Sequence, residues 1–172
     1  WRQANVYGVP RIGFVNKMDR IGADFQRCLA MMQERFGDHC EAAQLPIGSE
    51  GDFEGIVDLI TKKAAIRFDE KSLGAKFEWV DWSELDDELA LVCEERRAAL
   101  IEACADVSES VMEKYIGELS DDITETELHN AVRKATLQFA FVPVSCGSAF
   151  KNKGIQMLMD AVLNYLPSPL DV

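Results

Sequence analysis

The sequence predicts an α/β fold: a doubly wound sheet of two strand–helix units, interrupted by an inserted α+β subdomain with a small antiparallel sheet. Short apolar runs followed by helical periodicity, near both ends of the chain, predict the two strand–helix units. Between them, brief strand-like runs alternate with turn residues, a pattern that favours antiparallel pairing. We therefore assign residues 1–40 and 139–172 to the sheet and residues 41–138 to the insert.

The first unit opens with the end of a helix over residues 1–7, which Gly8 and Pro10 stop. Residues 11–15 form an apolar run that predicts a buried strand. The helix that follows is indicated by apolar residues at three- and four-residue spacing and ends at Gly37. Its predicted buried face consists of Ile21, Phe25, Leu29, Met32 and Phe36.

The insert begins with four predicted strands, and helices follow. The strands are predicted at residues 42–47, 55–59, 63–68 and 76–80. Ser83 is predicted to cap the first helix, and the spacing of Cys93 and Cys104 places both thiols on one buried face. The predicted inward face of this helix consists of Leu85, Leu89, Val92, Arg96 and Leu100.

Two more helices complete the insert before the chain returns to the sheet. One is predicted over residues 108–115. Thr124 and Glu127 form a capping box at the start of the next, which we expect to reach residue 139. A strand over residues 141–145 leads into the final helix. The predicted buried face of that helix consists of Ile155, Leu158, Met159, Val162 and Leu166.

The first predicted strand ends in Asn16-Lys17-Met18-Asp19, the Asn-Lys-x-Asp pattern of guanine recognition. Guanine presents two adjacent N–H donors, and one ionised carboxylate, here Asp19, accepts both. Adenine lacks that donor pair and would leave the carboxylate unpaired. We expect the Lys17 stem to lie along the base, Asn16 to bridge the base and neighbouring loops, and Met18 to pack beneath the loop. The alternative is an ordinary strand-to-helix turn, since Asn and Asp are common turn residues.

A second loop follows the last predicted strand and contains Gly147-Ser148-Ala149. Small residues let the backbone approach a ligand closely, and we expect the N–H groups of Ser148 and Ala149 to donate to the guanine carbonyl O6. Lys151 and Lys153 are expected on the solvated surface of this loop. Because each loop follows its own strand, the pair predicts GTP or GDP as the ligand.

The remaining motifs of the sequence give less information about function. Residues 52–55 match the Asp-x-x-Gly pattern that GTPases use near Mg²⁺, but they lie inside the insert, and we interpret them as a tight turn that begins a strand. The 172 residues contain no Gly-x-x-x-x-Gly-Lys-[Ser/Thr] phosphate cradle, so we expect no Mg²⁺ site and no GTP hydrolysis by this chain alone, and at most millimolar nucleotide affinity. His39 and His129 are isolated, and we expect surface or core positions for both.

The net charge of −12 is concentrated in the middle of the chain, where residues 41–138 hold 24 acidic and 10 basic side chains, a net of −14. Such a surface excludes broad nucleic-acid binding, and it is either a solvated helical face or a docking face for a basic partner. No apolar run is long enough to cross a membrane. Five cysteines without Cys-x-x-Cys spacing favour reduced thiols in a cytoplasmic protein.

Residues 2–20 and 146–156 resemble bacterial translation elongation factor G, and residues 44–48 and 53–59 resemble the insert within the GTPase domain of that family. The similarity extends over essentially all 172 residues. It implies a P-loop-GTPase-type sheet, of which this chain is the guanine-recognition half. It also implies a parent protein that hydrolyses GTP on the ribosome and drives the movement of tRNA and messenger RNA.

The resemblance further implies a partner, because the insert of that family is implicated in contacting the ribosomal stalk protein. The docking face is then expected on the acidic helices of residues 83–139. Two alternatives stay open. In the first, the chain acts purely as a protein-interaction module. In the second, it belongs to another translational GTPase such as a release factor or a ribosomal-protection protein. Titration with labelled guanine nucleotide distinguishes the interaction module from the nucleotide-binding segment.

Overall fold

The computed structural model describes residues 1–37 and 40–171, and its strands form a parallel and an antiparallel sheet. His39 lies outside the described residues. The strands are β1 (Gly13–Val15), β2 (Cys40–Ala42), β3 (Gln44–Ile47), β4 (Gly55–Asp58), β5 (Lys63–Ile66), β6 (Glu78–Asp81) and β7 (Val142–Cys146). The α-helices are α1 (Arg2–Val6), α2 (Phe25–Phe36), α3 (Asp87–Ala105), α4 (Glu109–Ile116), α5 (Glu125–Leu137) and α6 (Ile155–Tyr165). The predicted α/β class with a separate antiparallel sheet is confirmed.

The parallel sheet has the order β1-β7-β2, so it contains one strand more than predicted. The single strand expected over residues 42–47 is wrong: Ala42 pairs with Val144 in the parallel sheet, whereas Gln44 begins the antiparallel sheet. Only Ala43 separates β2 from β3, and no turn residue marks the change. Residues 41 and 42, assigned to the insert, therefore lie in the parallel sheet, and the exact division of the chain stays a prediction.

The antiparallel sheet has the order β3-β4-β5-β6, in agreement with the predicted pairing. Residues 50–52 form a turn of 3-10 helix that leads into β4, so the interpretation of the Asp-x-x-Gly run as a turn before a strand is confirmed. Gly55 is required there by space, since a Cβ atom at this position would lie 2.3 Å from the carbonyl oxygen of Ala65.

The N-cap of helix α3 lies three residues later in the chain than predicted. Asp86, not Ser83, is the N-cap, and its carboxylate accepts a hydrogen bond from the Leu89 N–H at 2.9 Å. Ser83 lies instead in a short 3-10 turn that the Asp81 carboxylate caps. A carboxylate accepts from helical N–H groups at least as well as a hydroxyl, and two turns in succession each use their own aspartate.

The inward face of α3 includes a charged residue that differs from the predicted one. Arg97 is 7% exposed, and its guanidinium donates to the carbonyl oxygens of Leu59 and Ile60, the latter at 2.9 Å. Arg96, the predicted member of the face, points toward Gln26 on α2 and donates to its side chain. Cys93 and Cys104 are both fully buried, as predicted.

The other helical predictions were partly right. The capping box of Thr124 and Glu127 is present at α5. Ile21 lies before α2 and is 96% exposed, because Asp24 caps the helix after it. The face predicted for α6 is wrong: Met159 and Val162 are exposed, and the buried residues are Met157, Ala161 and Tyr165.

Candidate base-recognition site

The two predicted loops leave the parallel sheet side by side. Val15, the last residue of β1, is paired with Cys146, the last residue of β7. The Gly147 N–H donates to the Val15 carbonyl at 3.0 Å, and the Met18 N–H donates to the Gly147 carbonyl at 3.1 Å. Met18 is 1% exposed, which confirms its predicted position beneath the loop. Both loops thus lie at the carboxyl edge of the sheet, where open α/β sheets bind ligands.

Asn16 joins the two loops through its side chain. Its Oδ1 atom accepts hydrogen bonds from the N–H of Lys17 at 2.7 Å and from the N–H of Ala149 at 3.0 Å. Lys17 has a φ of +64° and an exposed side chain, and the Arg20 N–H donates to its carbonyl at 3.0 Å to close the turn. The amide of Asn16 therefore makes the bridge between loops that its chemistry suggested, and its contact with a base stays a prediction.

Asp19 is a largely buried carboxylate with a hydroxyl and an ammonium beside it. Its side chain is 7% exposed. A hydrogen bond from the Ser148 hydroxyl is the main cause that lowers the pKa of Asp19 below its ordinary value. Lys151 adds a smaller electrostatic contribution, with its Nζ atom 3.8 Å from Asp19 Oδ2. A carboxylate that accepts a hydrogen bond beside a cation stays ionised at neutral pH.

Ser148 has a different geometry from the predicted one. Its N–H donates to the Lys153 carbonyl at 2.9 Å, and the Lys153 N–H donates back to the Ser148 carbonyl at 3.0 Å. The loop therefore folds back on itself in a small antiparallel bridge, and Ser148 is 1% exposed. Its backbone donor is used inside the loop, while its hydroxyl acts on Asp19. Ala149 is exposed, and its N–H faces Asn16.

Gly147 is required by this fold of the loop. A Cβ atom at this position would lie 2.3 Å from the Lys153 carbonyl oxygen and 2.9 Å from the ring of Phe14. Real Cβ atoms do not approach backbone that closely. Glycine is therefore required at this position so that residue 153 can pack against residue 147, independently of any contact with a ligand.

The first turn of the insert is fastened to both loops, which sequence reasoning missed. The Glu50 N–H donates to the Met18 carbonyl at 2.8 Å, and Glu50 Oε1 accepts from the Gly22 N–H at 2.7 Å. Lys153, expected in solvent, is half-buried, and its Nζ donates to the Phe53 carbonyl at 3.0 Å. The partners in these two side-chain bonds are separated by 28 and by 100 positions in the chain, and no local sequence pattern signals contacts over such separations.

In the described part of the chain, no group of three or more His, Cys, Asp or Glu side chains is placed to hold a metal ion. No helix there is long and apolar enough to span a lipid bilayer.

A parallel α/β sheet whose adjacent strands end in an Asn-Lys-Met-Asp loop and a Gly-Ser-Ala loop defines a nucleotide-binding domain of the α/β class. Residues 1–168 match the elongation factor Tu GTP binding domain family, and the chain belongs to that family. The fold is also similar to a crystal structure of a protein from Thermus thermophilus, with a TM-score of 0.80 and 24% sequence identity. The match covers 98% of this chain and 24% of that protein, so the chain spans about a quarter of its length.

Proposed function

We propose that this chain is the guanine-recognition half of the GTPase domain of a translation factor resembling elongation factor G. The observation that carries the proposal is the position of Asp19, a largely buried carboxylate at the carboxyl edge of the sheet, where the loops after β1 and β7 lie side by side. An ionised carboxylate pairs with the N1–H and exocyclic amine of guanine and with no comparable group of adenine.

The other loop residues act around this carboxylate. The exposed stem of Lys17 covers one face of the base. Asn16 orients Ala149, whose N–H is shared between the Asn16 side chain and the guanine O6. Ser148 contributes through its hydroxyl, which donates to the Asp19 carboxylate, because its own N–H is bonded to Lys153.

In the parent protein this half works with phosphate-binding elements outside the 172 residues. Those elements hold Mg²⁺ and the β- and γ-phosphates, and there GTP is hydrolysed. We further propose that hydrolysis occurs on the ribosome and drives the movement of tRNA and messenger RNA. The sequence of residues 141–156 favours this role over that of a release factor or a ribosomal-protection protein.

The test compares guanosine and xanthosine diphosphates in a complete GTPase domain that carries this chain. In Asp19→Asn the amide N–H group of the new side chain faces the N–H donors of guanine, so the affinity for guanosine diphosphate falls by about 2–3 kcal/mol. Binding of xanthosine diphosphate improves, because xanthine has a carbonyl oxygen in place of the exocyclic amine. Asp106→Asn is the matched control, since Asp106 is exposed at the C-terminal end of α3 and its change leaves both affinities unaltered. Unchanged guanosine diphosphate binding by Asp19→Asn removes Asp19 from the site.

A second function is favoured by the charge of the insert. Exposed acidic residues lie along α3 and α4, among them Glu88, Glu95, Glu102, Glu109 and Glu113. We propose that these acidic helices dock a basic segment of the ribosomal stalk protein. The two functions are compatible, because the acidic residues lie outside the base-reading loops.

A further inference from the structure

Lys153 anchors the second base-recognition loop to the insert. Its Nζ atom donates to the Phe53 carbonyl at 3.0 Å, and it lies 5.6 Å from the centre of the Phe53 ring and 5.7 Å from that of the Phe68 ring. Phe53 is 3% exposed and Lys153 is half-buried. In such a place an ammonium gains both a charge-assisted hydrogen bond and cation–π attraction. The contact therefore fixes the position of residue 153 relative to the turn before β4.

The same loop packs tightly against the insert at two further points. A Cβ atom at Gly154 would lie 2.5 Å from Cδ1 of Ile56 on β4. A Cβ atom at Gly74, between β5 and β6, would lie 2.5 Å from the Lys151 carbonyl oxygen. Close-packed interiors transmit displacements, so a shift of the loop against the insert disturbs these contacts as well.

The anchor is connected to Asp19 through Ser148. The backbone groups of Ser148 and Lys153 bond each other in both directions, at 2.9 and 3.0 Å. The Ser148 hydroxyl in turn donates to the Asp19 carboxylate. A displacement of residue 153 therefore moves Ser148, which contacts the carboxylate proposed to read guanine.

The turn that receives Lys153 also holds the first loop. The Glu50 N–H donates to the Met18 carbonyl at 2.8 Å, and Glu50 Oε1 accepts from the Gly22 N–H at 2.7 Å. Glu50 begins the 3-10 turn that Phe53 ends. One short turn of the insert thus contacts both base-recognition loops.

We propose that Lys153 is a positioning residue for guanine recognition: its bond to the Phe53 carbonyl holds Ser148 against Asp19 and holds the second loop beside the first. This role rests on the proposed function, and it gives the insert a part in guanine affinity besides any docking role. The Lys153 ammonium lies on the insert and not on the base, so it acts through the loop. Its loss weakens binding of the base and leaves binding of the phosphates unchanged.

The experiment uses the complete protein that carries this chain and measures its affinities for guanosine diphosphate and inorganic diphosphate by calorimetry. Lys153→Met keeps most of the apolar stem and removes the donor, so guanosine diphosphate is expected to bind about fivefold more weakly, as for one lost hydrogen bond. The affinity for inorganic diphosphate stays native, because that ligand has no base. Lys134→Met removes an exposed lysine on α5 and is the charge-matched control, which keeps both affinities.

Asp19→Asn, measured in parallel, separates the positioning role from the proposed function. Weaker guanosine diphosphate binding by Asp19→Asn with native binding by Lys153→Met overturns the positioning role alone, whereas native binding by both variants overturns both proposals. Equal weakening of the two ligands in Lys153→Met identifies general destabilisation and also overturns the positioning role. If Lys153→Met fails to fold, Lys153→Gln, which is shorter and uncharged, takes its place with the same expected results.

Discussion

The side chain of Asn16 accepts a hydrogen bond from the backbone N–H of Ala149 at 3.0 Å, which links two loops that are 133 residues apart in the chain. The same oxygen accepts from the N–H of Lys17. One amide thereby sets the backbone of both loops, so the Asp19 carboxylate and the Ala149 donor are held relative to each other before any ligand arrives.

Substitution of Asn16 tests this link. Asn16→Ala removes the acceptor, and we expect amide hydrogen exchange at Ala149 to accelerate by about fivefold, equivalent to ~1 kcal/mol for one hydrogen bond. Asn16→Asp retains an acceptor oxygen and is expected to preserve protection. Equal exchange at Ala149 in all three proteins would show that the loop is ordered without Asn16.

Ser148 is expected to control the ionisation of Asp19. Its hydroxyl is the largest cause of the lowered pKa of Asp19, and the charge of Lys151 is a smaller one. Ser148→Ala should therefore raise the pKa of Asp19 more than Lys151→Met does, as followed by carboxyl-carbon NMR titration. In Ser148→Ala the loss of guanine affinity on acidification then begins at a higher pH. A larger shift in Lys151→Met would reverse the assignment.

Glu127 is expected to contribute to acid stability. Its pKa is lowered to about 2, first by the hydrogen bond from Lys114 and then by the bonds from Thr124. Because the folded pKa lies below the ordinary value of 4.5, the stabilisation is complete above that value and is lost as the pH falls toward about 2. The free energy of unfolding of Glu127→Gln should fall below that of the native chain at neutral pH and approach it over this range. Glu113→Gln, exposed on α4, is the control. A difference that does not vary with pH would contradict the assignment.

Arg97 and Arg96 offer a matched pair on one helix. Arg97→Met leaves the carbonyls of Leu59 and Ile60 without their buried donor, and we expect a loss of about 2–4 kcal/mol in the free energy of unfolding. Arg96→Met removes a more exposed bond to Gln26 and should cost less than about 1 kcal/mol. Urea denaturation measures both. Equal losses would mean that burial of Arg97 is not what stabilises the insert.

Docking by the acidic insert should depend on salt. Glu113 and Glu118 are exposed, and Glu113→Lys with Glu118→Lys should slow association with the stalk protein and flatten its salt dependence. The reason is screening, since the Debye length falls from ~10 Å at 0.1 M salt to ~3 Å at 1 M. Stopped-flow association at two salt concentrations measures the effect, with Asp19→Asn as a control that leaves docking unchanged. A rate independent of salt and of these reversals would identify a merely solvated face.

Short-range features were determined by the sequence alone. The capping box of Thr124 and Glu127 and the shared burial of Cys93 and Cys104 follow from spacing within one helix. The two loops at residues 16–19 and 147–149 were recognised because each directly follows an apolar strand. Side-chain periodicity and turn chemistry act over a few residues, so they can be read without knowledge of the rest of the chain.

Only the tertiary structure decided which residues meet across the chain. Arg97 rather than Arg96 turns inward because the carbonyls of Leu59 and Ile60 lie beneath it, almost forty positions away in the chain. The Glu50 N–H bonds the Met18 carbonyl in the first loop, and β2 pairs with β7 in the parallel sheet, because these distant groups also meet only in the folded chain. A helix with two adjacent arginines, or an apolar run without a turn, is compatible with several arrangements. The choice among them is made by the distant donors, acceptors and packing surfaces that only folding brings together.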